Sequence, residues 1–280
     1  MPEFLRSGSV HAAIAAICLG LAGCDTGPVT ENIPTQSEID DAKARVGLSA
    51  DALGRVHAVL EMLGIIPRYD CGEPRAAFSG RLPDQLRNSF AGSIVSLDAG
   101  DPAADRISLA FPAAGTEVRG LKLTGNLLLK TSGGTDRFTL EVDARNAQVN
   151  GRAIQALGGY GTCGDSTSYW ADSEGPLSMA AAYVLKARVG KKSGLPIIGK
   201  TNLLIDAAGS LTRGGKDDGL TLTAVDYETG KVLPRSGTVL IATSSGHRIQ
   251  ATFSDDTPLI GQVKVKVDGK SPVFIPLPDL

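Results

Sequence analysis

Phe138-Thr139-Leu140-Glu141-Val142-Asp143 and Val263-Lys264-Val265-Lys266-Val267 decide the fold. Apolar and polar residues alternate in both. Successive side chains of a β-strand point to opposite faces, so Phe138, Leu140 and Val142 share one face and Thr139, Glu141 and Asp143 the other. One packed face and one wet face is the signature of antiparallel sheet. The same period recurs outward from these two stretches, in Ile107-Ser108-Leu109-Ala110-Phe111, Leu121-Lys122-Leu123-Thr124, Leu220-Thr221-Leu222-Thr223 and Ile249-Gln250-Ala251-Thr252-Phe253.

The joints agree with this reading. Ser132-Gly133-Gly134-Thr135-Asp136 and residues 213–219, with three glycines, separate strands, and Glu228-Thr229-Gly230-Lys231, Ser244-Ser245-Gly246-His247 and Asp268-Gly269-Lys270 read as hairpin turns. No succession of βαβ units appears, which argues against Rossmann and TIM architectures. Residues 178–189 fit a helix or a strand, with the balance toward strand. The pattern predicts roughly nine to twelve strands. A curved antiparallel sheet, a sandwich or a barrel would each satisfy it, with an N-terminal helical segment packed on it. Asn126-Leu127-Leu128 recurs as Asn202-Leu203-Leu204, a faint echo that alternating composition explains as well as duplication does.

The helical segment comprises residues 35–74, ahead of a β domain over 75–280. Thr35-Gln36-Ser37-Glu38 fits a capping box. A first helix is expected to stop at Gly47, and Ser49 to cap a second. Leu53, Val56, Leu60 and Leu63 recur at three and four and form a stripe suited to packing on the sheet. Gly64 and Pro67 mark the end. His57 lies beside the stripe and reads as a half-buried structural residue.

Composition narrows the class. The 280 residues carry 28 Lys plus Arg and 30 Asp plus Glu, a formal charge of -2 that offers no bulk attraction to nucleic acid. A hydrophobic share of 42% excludes disorder throughout, and 34 Gly with 15 Pro disfavour an all-helical chain. Aromatics make up only 5%, and no aromatic girdles flank lipid-facing strands, which argues against an outer-membrane barrel.

The N-terminus carries the most specific motif. Residues 12–24 form an uncharged tract, shorter than the about 20 residues a membrane-spanning helix needs, but suited to the h-region of a secretory signal. The tract ends in Leu21-Ala22-Gly23-Cys24, which resembles the lipobox of bacterial lipoproteins. The resemblance covers residues 1–24 alone. It implies that residues 1–23 are a signal peptide and that Cys24 is lipidated. Residues 24–34 then tether the domain to the periplasmic side of the inner or outer membrane of a bacterial envelope. Asp25 resembles an inner-membrane retention signal of enteric bacteria, and other bacteria use other rules. Two or three acyl chains give stable anchoring where one binds reversibly.

With Cys18 in the signal and Cys24 acylated, Cys71 and Cys163 remain as an even pair in a compartment that permits disulfides, and a Cys71–Cys163 bond is expected. Buried thiols or a metal or redox role are the alternatives. No CxxC occurs, and His57 and His247 are the mature chain's histidines, without zinc-ligand spacing.

The search for catalytic motifs returns no G-x-S-x-G, H-E-x-x-H, P-loop or EF-hand spacing. No catalytic residue, metal ligand or cofactor is therefore assigned. Asp217-Asp218 and Asp255-Asp256 sit in expected turns, where solubility explains them as well as calcium does. Residues 158–170 are richer in binding character. They hold four glycines, Tyr160, Tyr169 and Trp170, the chain's one tryptophan. Tyr and Trp combine rigid apolar area with a polar edge, which suits a binding loop, although a core tryptophan flanked by tight turns also fits. The expected function is a non-enzymatic envelope lipoprotein that binds an envelope protein or plays a structural part. Its alternatives are a carrier of a lipophilic ligand in an apolar groove and a hydrolase built on His57 or His247.

Overall fold

Thr35 opens the first helix as its sequence requires. In the computed structural model, Thr35 Oγ1 accepts from Glu38 N at 3.3 Å and Glu38 Oε2 accepts from Thr35 N at 2.7 Å, closing the capping box. The structure describes residues 32–280 except 71, 102, 136, 163–167, 192–202, 229–230, 232 and 278–280. Cys18, Cys24, Cys71 and Cys163 therefore lie outside the described residues, as does the lipobox. The expected Cys71–Cys163 disulfide falls on these residues and so lies outside the described part of the chain; among the described residues there is no disulfide bond.

Helix α1 (Gln36–Ile65) is a single rod and not the expected pair. Gly47 and Ser49 are buried inside it, and Ser49 Oγ donates to the Arg45 carbonyl at 2.9 Å instead of capping a new helix. A helical glycine costs about 1 kcal/mol against alanine. Burial of Val46, Ala50, Leu53 and Val56 on the continuous stripe outweighs that penalty. The helix ends where Ile66, held extended (ψ 133°) before Pro67, cannot continue it.

Helix α2 (Arg75–Ser89) lies where the sequence pattern placed the start of the β domain. Gly80 and Pro83 obscure it. Its face is nonetheless helical in period, since Phe78, Leu82 and Leu86 recur at every fourth residue and are fully buried.

The strands that follow are β1 (Ile94–Asp101), β2 (Ala104–Ala110), β3 (Thr116–Val118), β4 (Leu121–Gly133), β5 (Phe138–Asp143), β6 (Ala147–Val149), β7 (Arg152–Ala153) and β8 (Ala156–Thr162). Then come β9 (Ser168–Ser178), β10 (Ala181–Lys191), β11 (Leu203–Arg213), β12 (Lys216–Tyr227), β13 (Pro234–Ala242) and β14 (Arg248–Phe253). Helix α3 (Thr257–Ile260), β15 (Gln262–Val267) and β16 (Val273–Pro276) complete the described order. The ambiguous 178–189 stretch is a turn and the strand β10. All pairings are antiparallel, along β1-β2-β4-β5-β8-β9 and then in sequence order to β16. Strands β3, β6 and β7 form a side branch on β4. The branch starts at Gly125 (φ +83°), where a Cβ would meet the Asn146 carbonyl at 2.2 Å, so only glycine lets β4 change partners there.

The sheet is open. Strands β1 and β16 end the path and do not pair with each other. The expectation of a curved sheet, sandwich or barrel is thereby corrected to an antiparallel sheet that neither closes nor curls strongly. Period-two alternation says that one face is buried without saying what buries it. Here α1 and α2 do so, and no second sheet or closure is needed. Helix residues Val56, Val59 and Leu60 share one core with Leu140, Leu185, Val239 and Val265 from the strands. Among the described residues, no helix is long and apolar enough to cross a membrane.

Candidate functional site

One flank of α1 borders a cleft beside the strands. Asp51, Gly54, Arg55, His57, Ala58 and Glu61, spaced three and four apart on the helix, form one wall of this cleft of about 400 Å³. The opposite wall is the β6–β7 branch, with Val149, Asn150, Arg152, Ala153 and Ile154. Leu121 at the start of β4 and Lys231 in the loop after β12 complete the lining. Asn150 fixes the branch: its Oδ1 accepts from Lys122 N at 3.0 Å and its own N–H donates to the Lys122 carbonyl at 2.8 Å. Gly54 supplies the depth, since a Cβ there would meet nothing within 4 Å. The volume lies within the range of small-molecule sites, and at about 30 Å³ for each water-sized group it holds on the order of a dozen.

The polar groups fall into two sets. Arg55 donates to Gln155 Oε1 and, from Nη2 at 3.3 Å, to Asp51 Oδ2, and Arg152 Nη1 lies 3.9 Å from Asp51 Oδ1. The Arg55 guanidinium sits 5.5 Å from the centroid of the Tyr183 ring. Its Nε is buried without a hydrogen-bond acceptor, an arrangement that costs about 1–3 kcal/mol. In the second set, His57 Nε2 faces Glu61 Oε1 at 3.3 Å, and the imidazole stacks on Tyr227. Burial pushes the Tyr227 and Tyr183 hydroxyls above their ordinary pKa.

The lining combines apolar surface with charge. Among the described residues it holds no hydroxyl or thiol to serve as a nucleophile. His247, the other histidine considered, lies in the β13–β14 turn, where its Nδ1 bonds Asp268 Oδ2 at 2.7 Å. Neither imidazole bonds a serine among the described residues. Asp218 is buried and ion-paired with Arg45, and Asp255 faces Arg235 at 3.7 Å. No cluster among the described residues has the groups to hold a metal ion.

Tyr160, Tyr169 and Trp170 occupy strands β8 and β9, flanking residues 163–167, which lie outside the described residues. Tyr160 and Tyr169 are buried beside Phe138 in an aromatic cluster, where Tyr69 stacks on Phe138 at 3.9 Å and Phe78 meets both edge-on. Burial pushes the Tyr160 hydroxyl up to about 12, and that hydroxyl accepts from Tyr69 N at 3.2 Å. Trp170 is half-buried and covers Gly159, where an added Cβ would meet its ring at 3.0 Å. These three aromatics do not line the cleft.

Sequence reasoning passed over Asp51, Arg55, Glu61, Arg152 and Lys231. One signal was present: the pairs Asp51/Arg55 and His57/Glu61, each four residues apart, place charge beside an apolar stripe. No protein family, curated protein or solved structure matches the chain. A mostly β fold with a buried aromatic cluster suits a ligand-binding or structural protein.

Proposed function

We propose that this protein is a carrier of a lipophilic small molecule, which it holds in the cleft beside α1. The observation that supports the reading is the cleft itself: about 400 Å³, floored by Ala58, Leu121, Val149, Ala153 and Ile154 and deepened by the bare backbone at Gly54. An apolar pocket with a few polar groups at fixed positions is the usual form of a small-molecule site. We further propose that the lipobox cysteine Cys24 anchors the carrier in a bacterial envelope, where lipophilic molecules need shelter from water in transit.

Titration with the fluorescent lipophilic probe N-phenyl-1-naphthylamine tests the carrier. Saturable enhancement by the wild-type chain, abolished in Gly54→Phe, is the expected result. Equal enhancement by both proteins would place the probe elsewhere and remove the cleft from the function. Intact-mass measurement of protein from its own envelope tests the anchor, which predicts a chain beginning at acylated Cys24.

A further inference from the structure

We infer that the cleft selects an amphiphile with an anionic head group, a carboxylate or a phosphate monoester, seated against Arg55 and Arg152. The inference rests on the carrier reading and names its ligand class. Its first support is the charge of the lining. Three permanent cations, Arg55, Arg152 and Lys231, stand against two carboxylates, Asp51 and Glu61. Glu61 is buried and faces His57 at 3.3 Å. Asp51 is shared between Arg55 and Arg152, and an anion entering the cleft would offset the excess of cations among the lining residues.

The second support is the layout. Asp51 and Ala58 are seven residues apart on α1, about 10 Å of helix rise. Arg55 and Arg152 gather with Asp51 toward one end. Ala58 and Leu121 lie toward the other, where Arg119 Nη2 reaches the Gly64 carbonyl at 3.4 Å. A ligand along the helix would meet guanidinium groups at its head and aliphatic carbon along its body. The third support is Arg55 Nε, a buried donor on the lining without an acceptor. Guanidinium groups match carboxylate and phosphate oxygens with paired N–H donors, so two of them in one cleft favour such a head over a neutral one.

The test is displacement of N-phenyl-1-naphthylamine from the full chain, in detergent-free buffer of low ionic strength, by four compounds sharing one twelve-carbon chain. These are dodecanoate, dodecyl phosphate, dodecanol and dodecylamine. The two anions are expected to compete about tenfold more tightly than dodecanol, with dodecylamine weakest. The tighter anion identifies the head as carboxylate or phosphate. Arg152→Gln, at a side chain with solvent access, should weaken the anions and leave dodecanol unchanged. If dodecanol equals the anions, or dodecylamine exceeds them, the head-group inference falls while the carrier stands. If none of the four displaces the probe, the carrier reading falls, and this inference with it.

Discussion

His57 lies flat on Tyr227, with ring centroids 3.7 Å apart and planes 8° from parallel, and its Nε2 faces Glu61 at 3.3 Å. The contact joins the middle of α1 to the last residue of β12 and forms one edge of the cleft. Removing the imidazole takes away the stack and leaves a buried carboxylate without its neighbour. His57→Ala should therefore cost on the order of 2–4 kcal/mol, read from urea unfolding. An unchanged midpoint would mean that the stack carries no weight.

Gly54 and Gly209 should respond in opposite directions to the same added methyl. At Gly54, inside α1 and open to the cleft, Gly54→Ala should stabilise by about 0.5–1 kcal/mol through helix propensity. Thermal unfolding of the two variants side by side provides the comparison. At Gly209 a Cβ would meet the Val184 carbonyl oxygen at 1.9 Å, so β10 and β11 must separate to admit it. Gly209→Ala should destabilise by about 3 kcal/mol or more.

Lys270 clamps the start of α1 to the β15–β16 turn, with Nζ 2.6 Å and 2.7 Å from the two Glu38 oxygens. The Lys270 hydrogen bonds, and next that from the Thr35 backbone, lower Glu38 from its ordinary 4.5 to about 2. A depressed carboxylate pKa stabilises the fold above the unfolded value and loses that contribution as pH falls through the folded one. The stability gap between wild type and Lys270→Met should thus be full above pH 4.5 and shrink to nothing near pH 2. A gap constant across that window would show that the clamp is not ionic.

Tyr69 and Phe138 stack at 3.9 Å in the aromatic cluster under α2, with Phe78 edge-on to both. Phe138→Ala should cost about 3–5 kcal/mol, and it should leave probe binding in the cleft intact because Phe138 does not line it. Loss of binding in a variant that remains folded would relocate the site to the aromatic cluster.

Where alternation was strict, the strands were legible in the sequence. Phe138–Asp143 and Val263–Val267 are strands whose apolar residues are buried, because a period of two has one structural solution. Helix boundaries were less legible. Gly47 reads as a stop only if the helix is considered alone. Packed on a sheet, the same glycine is carried through by its neighbours. Helix α2 was missed because Pro83 and Gly80 outweigh Phe78, Leu82 and Leu86 in a local reading, and only the sheet beneath supplies the burial that reverses the balance. The cleft was the least legible feature. Asp51 and Arg55 meet Arg152 across a hundred residues of chain, a meeting that no local spacing encodes.

By itself the sequence determined the antiparallel strands, the capped N-terminal helix, the lack of a recognisable catalytic motif and the resemblance of Leu21–Cys24 to a lipobox. Each of these depends on residues close together in the chain, where side-chain direction and turn chemistry are fixed by backbone geometry. Tertiary structure alone decided that the sheet stays open, that two helices cover its buried face, and that a charged, apolar-floored cleft opens beside α1. Those outcomes depend on which distant surfaces meet, and burial energy is settled between surfaces and not along the chain.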